Sequence, residues 1–157
     1  MKSRQSGIFV RWSAFALYPR IMVHKYEMRV RYSDTDQMQR LHHAAYVEYL
    51  EVVRIEFLRA LGFSYSRLEQ SGYLLPVNTL QVKYHRGVEY DEVLSFDTRV
   101  KVNSEIRLTF ASEIHAADAL VATATVELAC IDSVRHRPCR LPEDLLHALQ
   151  KASTEVE

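Results

Sequence analysis

The sequence predicts an α+β fold in which a five-stranded antiparallel sheet wraps around one long central helix. Residues 45–61 place apolar side chains three and four positions apart, which indicates a helix of roughly four to five turns. Five other stretches alternate apolar and polar residues or are rich in β-branched residues, and short turn signals lie between several of them. Strands joined in this way are typically antiparallel neighbours.

The first strand and the long helix are adjacent in the sequence. A strand is predicted at residues 26–32, where apolar or aromatic residues occupy every second position. In the helix that follows, the apolar stripe is wide, which predicts that other parts of the protein pack against this helix on more than one side. Gly62 stands where the C-terminal stop of this helix is expected.

Four further strands and a short final helix are predicted after a connector at residues 63–73. The strands cover residues 74–85, 93–102, 107–116 and 120–132. Turn signals at 103–104 and 117–118 favour a meander. The final helix is expected to begin at residues 141–144, where a proline precedes two acidic residues.

Composition limits the function classes. A chain of 157 residues forms one domain with a substantial core, and 48% apolar with 25% charged residues is average globular usage. No apolar run reaches the roughly 18 residues that a membrane-spanning helix needs. Of 20 basic residues, 5 lie in the first 25 positions with no acid, so the rest of the chain holds 15 basic and 20 acidic residues. A net charge of −5 there makes nucleic acid an unexpected partner.

The N-terminal segment and the cysteines bear on location. Arg11 interrupts the apolar run that a secretory signal would need, so residues 1–21 fit a targeting presequence or, as we favour, a flexible basic extension before a single domain at 22–157. Removal of this extension should leave folding and activity intact. Cys130 and Cys139 could form one disulfide, but no secreted framework is indicated, so free thiols and a cytoplasmic location are expected.

The chemistry is expected in the segment before the long helix, which reads YSDTDQMQRLHHAAY over residues 32–46. A helix N-terminus offers unpaired N–H groups and a partial positive charge. An acyl carbonyl docked there would be polarised, with the Asp36 carboxylate beside it. Asp34 is interpreted as structural, because aspartate favours helix caps. A metal site at His42 and His43 is not expected, since no third histidine stands at helical spacing.

These residues resemble the Y-x-D-T-D…H-x-x-Y-x-x-x-x-E-x-x-R motif of hotdog-fold acyl-CoA thioesterases, in the 4-hydroxybenzoyl-CoA thioesterase-like branch that includes Tol-Pal-associated short-chain enzymes. The matching positions are Tyr32, Asp34, Thr35, Asp36, His43, Tyr46, Glu51 and Arg54. A second stretch at residues 82–94, VKYHRGVEYDEVL, is similar to a second signature of this branch. The resemblance spans roughly residues 24–150.

The resemblance implies a hotdog protomer that hydrolyses an acyl-CoA or acyl-carrier-protein thioester to the free acid and a thiol. Asp36 would be the catalytic carboxylate, acting as general base or nucleophile, and Tyr32 and His43 would line its site. Active sites in this family form at a dimer interface, so a homodimer or homotetramer is expected. No metal or redox cofactor is implied.

Some assignments stay open at this point. Gln39 stands where the family usually has glycine, so it could donate its amide, narrow the pocket or impair the oxyanion arrangement. His85 and Arg86 could contact CoA phosphates or form a surface turn, and Glu51 is a backup carboxylate. The rival functions are a non-hydrolytic acyl-thioester binder, which Gln39 keeps open, and a hotdog hydratase or dehydratase, whose aspartate–histidine arrangement is not apparent.

Overall fold

The computed structural model describes residues 22–153. The predicted extension at residues 1–21 lies outside these residues, as do residues 154–157. The elements in chain order are β1 (His24–Arg29), a 3-10 turn (Tyr32–Asp34), α1 (Ala45–Ala60), α2 (Tyr65–Gln70), β2 (Tyr73–Leu74), β3 (Val77–Tyr84), β4 (Val93–Val102), β5 (Arg107–Ala116), β6 (Ala119–Ala129), β7 (Ile131–Asp132) and α3 (Glu143–Ser153).

The main sheet has five strands in the order β1-β4-β5-β6-β3, and every neighbouring pair is antiparallel. The predicted α+β class and antiparallel sheet are therefore confirmed. The predicted meander holds only for β4, β5 and β6. The β3 strand instead pairs with β6 at the far edge, because the loop of residues 85–92 carries the chain across the end of the sheet.

The core lies between α1 and one face of the sheet. Phe96, Val100, Phe110 and Val126 alternate with more exposed residues along their strands, and their side chains are almost fully buried. The ring of Phe57 on α1 packs edge-on against Phe110, with centroids 5.3 Å apart. Eight residues of the 16-residue helix are buried, which explains its wide apolar stripe.

The structure differs from the predicted strands at three places. The β1 strand ends at Arg29, and Tyr32 lies in the following turn, where the Asp34 amide donates to the Arg31 carbonyl. Pro76 separates β2 from β3, since proline has no N–H to continue a ladder. The last predicted strand breaks at Cys130, and β7 then pairs with β2 in a separate two-stranded sheet.

The connector at 63–73 contains a short helix that the apolar pattern did not reveal. Ser64 precedes α2, and its hydroxyl accepts a hydrogen bond from the Arg67 amide at 3.3 Å. A serine cap three residues before a bonded amide is the sequence signal that could have indicated this helix.

The final helix lies against β4. The β1 strand pairs with β4 only from Val93 to Thr98, so within residues 22–153 the last residues of β4 have no neighbouring strand on that side. The α3 helix contributes Leu145 and Leu149 to the core, and the Met22 amide donates to the Ala152 carbonyl at 3.2 Å. Within the described part of the chain, no helix has the length and apolar character needed to cross a membrane.

Candidate active site

Asp36 lies in a tight loop between the 3-10 turn and α1. One carboxylate oxygen, Oδ1, accepts hydrogen bonds from the amides of Met38 at 2.8 Å and Arg40 at 3.3 Å. The backbone closes the same loop, since the Asp36 amide donates to the Arg40 carbonyl and its carbonyl accepts from the Gln39 amide. Over residues 22–153, Oδ2 has no hydrogen-bond partner. The loop therefore fixes one oxygen and leaves the other available to water or a substrate.

Gln39 adopts the left-handed backbone conformation, with φ at 58°. Glycine is favoured in this region because it has no Cβ. The glycine that the family usually has at this position would suit this left-handed backbone, and Gln39 adopts the same conformation without being glycine. Its side chain is exposed. The turn that presents Asp36 is formed despite the departure from the family pattern.

Asp34 anchors this loop to α1. Its carboxylate accepts hydrogen bonds from Arg31 Nε at 2.8 Å, from the Tyr49 hydroxyl at 2.5 Å and from the Ser33 hydroxyl at 3.2 Å. Its carbonyl accepts from the His42 amide at 2.8 Å. Burial disfavours the charged carboxylate, but the hydrogen bonds from Arg31 and Tyr49 outweigh it and lower the pKa of Asp34.

The N-terminus of α1 has both satisfied and unsatisfied amides. The N-cap residue is Ala44, whose side chain makes no capping hydrogen bond. The amide of Ala44 donates to His42 Nδ1 at 3.2 Å. The amide of His43 has no hydrogen-bond partner among the described residues. The Tyr84 hydroxyl donates to the His43 carbonyl at 2.9 Å, which fixes the peptide that follows His43. An unpaired N–H at a helix start can polarise a carbonyl oxygen.

Tyr46, one turn further on, does not act as a base at neutral pH. Its side chain is buried, and its ring packs edge-on against Tyr84 with centroids 5.2 Å apart. Burial, followed by the proximity of Tyr84 and Glu92, raises the pKa of Tyr46 to about 12. The phenol therefore stays protonated.

The loop of residues 85–92 packs against the Asp36 loop. Arg40 forms an antiparallel bridge with Glu89 through the backbone and an ion pair with its side chain. A Cβ on Gly87 would lie 2.9 Å from Arg40 Cδ, so glycine allows the Arg40 side chain to cross there. The two stretches that carry the family resemblance are thus in contact.

Tyr32 lies in the 3-10 turn before the Asp36 loop and extends into solvent. Its side chain is 77% exposed, and its ring packs edge-on against Tyr90, with centroids 5.6 Å apart. Its carbonyl accepts from the Thr35 hydroxyl at 2.8 Å. Neither Tyr32 nor His43 is hydrogen-bonded to Asp36 among the described residues.

His85 and Arg86 follow β3 and directly precede Gly87, which lies against Arg40 of the Asp36 loop. His85 Nε2 lies 3.3 Å from the Thr123 hydroxyl. Arg86 is paired with Glu92 at 3.0 Å, and its side chain is about half exposed at 49%. A phosphate at Arg86 would have to share the guanidinium with Glu92.

Glu51 lies apart from this cluster, on the exposed side of α1. Its carboxylate is 61% exposed and lies 3.7 Å from Arg54. Arg54 is buried, and it donates to the Tyr65 hydroxyl at 2.5 Å, which connects α1 to α2. Of these two motif residues, Arg54 therefore serves a helix–helix contact, and Glu51 lies at its exposed edge.

Two supporting residues were not singled out from the sequence. Tyr49 holds Asp34 from within α1, and Tyr84 holds His43 from the end of β3. Their aromatic rings fit the apolar patterns of their elements, so the hydroxyl contacts gave no separate signal in the sequence.

Known proteins share this sequence pattern and this fold. The family model described as the thioesterase-like superfamily matches residues 30–149. YneP of Bacillus subtilis (strain 168), named provisionally as an acyl-CoA thioesterase, is 32% identical over 117 residues, which cover 74% of this chain and 85% of YneP. The acyl-CoA thioesterase YbgC of Haemophilus influenzae is 29% identical over 121 residues, which cover 76% of this chain and 89% of YbgC.

The same relationship holds among solved structures. The DHNA-CoA thioesterase from Staphylococcus aureus superposes with a TM-score of 0.80 and 32% sequence identity, covering 83% of this chain and 91% of that one. The resemblance to hotdog-fold acyl-CoA thioesterases that the motifs predicted is confirmed by these matches. The chain belongs to the thioesterase-like superfamily.

Proposed function

We propose that this protein hydrolyses an acyl-CoA thioester to the free acid and CoA. The observation that carries the proposal is the Asp36 carboxylate, which has one oxygen fixed by two amides and one oxygen unpartnered. The unpaired His43 amide at the start of α1 supplies the complementary group. The names of the similar proteins, which refer to acyl-CoA thioesters, support this substrate class.

The reaction needs a nucleophile and a stabilised oxyanion. The free oxygen of Asp36 takes a proton from water that attacks the thioester carbon, or attacks that carbon itself to give an anhydride that water then opens. The His43 N–H donates to the carbonyl oxygen as negative charge develops on it. In either route the C–S bond breaks, and the thiolate leaves and is protonated.

The test is thiol release from a panel of short aliphatic, long aliphatic and aromatic acyl-CoAs. We expect Asp36→Asn to lose about 10²–10⁴-fold in turnover, the range for removal of a positioned base. Asp118→Asn makes the same chemical change in an exposed turn and should leave turnover unchanged. Glu51→Gln removes the backup carboxylate and should also be neutral.

The outcomes separate the candidate carboxylates. Normal turnover by folded Asp36→Asn would overturn the assignment, and a loss in Glu51→Gln alone would transfer it to Glu51. Binding of acyl-CoA by the wild type without thiol release would favour a non-hydrolytic binder. The same panel includes an acyl-carrier-protein thioester, whose exclusive cleavage would change the substrate class.

We also propose that the protomer is a hotdog unit, with the sheet wrapped around α1 as its central helix, and that two protomers join through β3. This strand lies at the edge of the sheet and has no partner on its outer side among the described residues. Tyr84 at its end is 47% exposed and contacts His43. Pairing at this edge would bring a second protomer beside the α1 N-terminus.

A cytoplasmic location is part of the same proposal.

A further inference from the structure

Cys130 and Cys139 lie side by side at the base of a hairpin, defined here as residues 130–139. Their sulfur atoms are 3.6 Å apart. The Cys139 amide donates to the Cys130 carbonyl at 3.0 Å, so the two backbones already run as paired strands. Paired antiparallel residues have Cα atoms about 4.5–5.5 Å apart, within the range of roughly 4.4–6.8 Å that disulfides accept.

The rest of the hairpin is rigidly built. Ile131 bridges to Pro138, and the Asp132 amide donates to the Arg137 carbonyl at 2.9 Å. The Asp132 carboxylate accepts from the amides of Val134 and Arg135 at 2.9 and 2.8 Å. These bonds hold the two cysteines in register, so small side-chain rotations suffice to bring the sulfur atoms together.

The two thiols differ in exposure. Cys130 is fully buried, and its sulfur contacts Cys139 and the Arg140 carbonyl. Cys139 is only partly buried. Burial, and then the neighbouring Cys139, raises the pKa of Cys130 to about 12, so Cys130 stays protonated. Cys139 is therefore the thiol that a solvent oxidant reaches first.

We propose that Cys130 and Cys139 form an oxidation site that closes to an intramolecular disulfide on reaction with a hydroperoxide. The Cys139 thiolate attacks the peroxide, its sulfur is oxidised to sulfenic acid, and the O–O bond breaks to release water or an alcohol. The Cys130 sulfur then attacks the Cys139 sulfur, the S–S bond forms, and the hydroxyl leaves as water with the Cys130 proton. Reduction by a thiol reverses the sequence.

This site is remote from Asp36. The Cys130 amide donates to the Ile106 carbonyl, in the turn after β4, whereas the Val30 amide donates to Glu92, just before β4. The ten-residue strand between these points spans about 30 Å. The disulfide should therefore stabilise the junction between β6 and α3 without changing hydrolysis.

The test is oxidation of the reduced full chain with a few equivalents of hydrogen peroxide. Trypsin cuts after Arg135, so the cysteines fall in peptides 108–135 and 136–140, which a disulfide alone keeps together. We expect the intact mass to fall by about 2 Da and the melting temperature to rise by about 3–8 °C. Acyl-CoA hydrolysis should stay within about twofold. The mass readout does not depend on the proposed activity.

Two variants serve as controls. Cys139→Ser changes a partly exposed side chain and should abolish both the mass loss and the thermal shift. Cys130→Ala should do the same, and Cys139→Ser suffices if the buried substitution prevents folding. Sulfinic acid at Cys139 with Cys130 still reduced, a disulfide between chains, or a wild type that does not react would each overturn the proposal.

Discussion

Asp34 and Asp36 stand two positions apart and have opposite surroundings. Asp34 is held by Arg31, Tyr49 and Ser33, so both oxygens of its carboxylate are already hydrogen-bonded to side chains. Asp36 is held through one oxygen by backbone amides of its own loop. The same residue type therefore serves as an anchor at one position and as an available carboxylate at the other.

The anchor predicts a pH-dependent loss of stability. The pKa of Asp34 is lowered in the folded protein. The ionised Asp34 therefore contributes fully to the free energy of unfolding above the unfolded pKa of about 3.9, and this contribution is lost as pH falls through the folded pKa. Asp34→Asn should lower the free energy of unfolding by about 1–2 kcal/mol at pH 7. Urea unfolding should show this difference shrinking below about pH 4. A difference that is constant with pH would contradict the ionic role, and Asp118→Asn provides the control.

Gln39 allows a test of backbone conformation against side-chain function. Glycine at this left-handed position removes Cβ strain but gains entropy in the unfolded chain, so Gln39→Gly should stay within about 1 kcal/mol of wild type. Gln39→Val should cost about 1–2 kcal/mol more, since a branched side chain tolerates this φ poorly. We expect Gln39→Gly to keep thioester hydrolysis. A loss of turnover in the folded glycine variant would show that the amide side chain is needed.

The sequence located the Asp36 segment but not the contacts that support it. The polar motif before α1 pointed to Asp36 because helix starts are chemically distinctive. Tyr84 and Tyr49 fit strand and helix patterns as apolar residues, and their hydroxyl partners lie 41 and 15 positions away. Such contacts depend on tertiary placement, which local patterns do not encode.

At the scale of elements, α1 is held in place by contacts on two of its faces. One face meets the sheet through residues such as Phe57, and the buried Arg54 joins it to α2 through the Tyr65 hydroxyl. Burial raises the pKa of Tyr65 despite the nearby Arg54, so this phenol remains neutral and can accept the guanidinium hydrogen. The short α2 helix is thereby fixed to α1.

Loss of this hydroxyl should weaken the junction between the two helices. Tyr65→Phe leaves a buried guanidinium N–H without its acceptor, which should cost about 1–2 kcal/mol in the free energy of unfolding. Chemical denaturation measures the change. Tyr73→Phe is the matched control, because the Tyr73 hydroxyl has no hydrogen bond among residues 22–153. Equal effects of the two variants would contradict the assigned contact.

Long periodic elements were predicted well, and short ones were not. The β4 and β5 strands and α1 have many alternating or helically spaced residues, so their patterns are strong. The α2 helix has six residues, and the β2 and β7 strands have two residues each. These elements are too short for a periodic pattern to be evident in the sequence. The position of β3 at the far edge follows from how the 85–92 loop crosses the sheet, which no local pattern specifies.

At the scale of the whole molecule, the proposed dimer depends on the outer side of β3. The His85 amide donates to Val121 of β6, and bonded positions alternate along an antiparallel pair. The backbone amides of Lys83 and Gln81 therefore point toward β6, whereas the backbone amide of Val82 points away from the sheet. A second β3 strand would bond to that outward amide.

Val82→Pro should therefore produce a monomer that still folds, because proline is tolerated where an edge amide faces outward. Light scattering should give about 37 kDa for the wild type, twice the 18.3 kDa chain, and half of that for the variant. Val82→Ala keeps the amide and should remain dimeric. A wild type that is monomeric while hydrolysing acyl-CoA would overturn the dimer but leave the proposed chemistry intact.

The Met22 amide, two residues before β1, donates to the Ala152 carbonyl and so ties the entry of β1 to α3. Edge strands and terminal helices are usually the first parts of a domain to open. Here neither can open without breaking its contact with the other, so the amides of both should exchange with deuterium at related rates. Since β1 leads into the Asp36 loop, we expect deuterium exchange at the amides of that loop to respond as well to a helix more than 100 positions later in the chain.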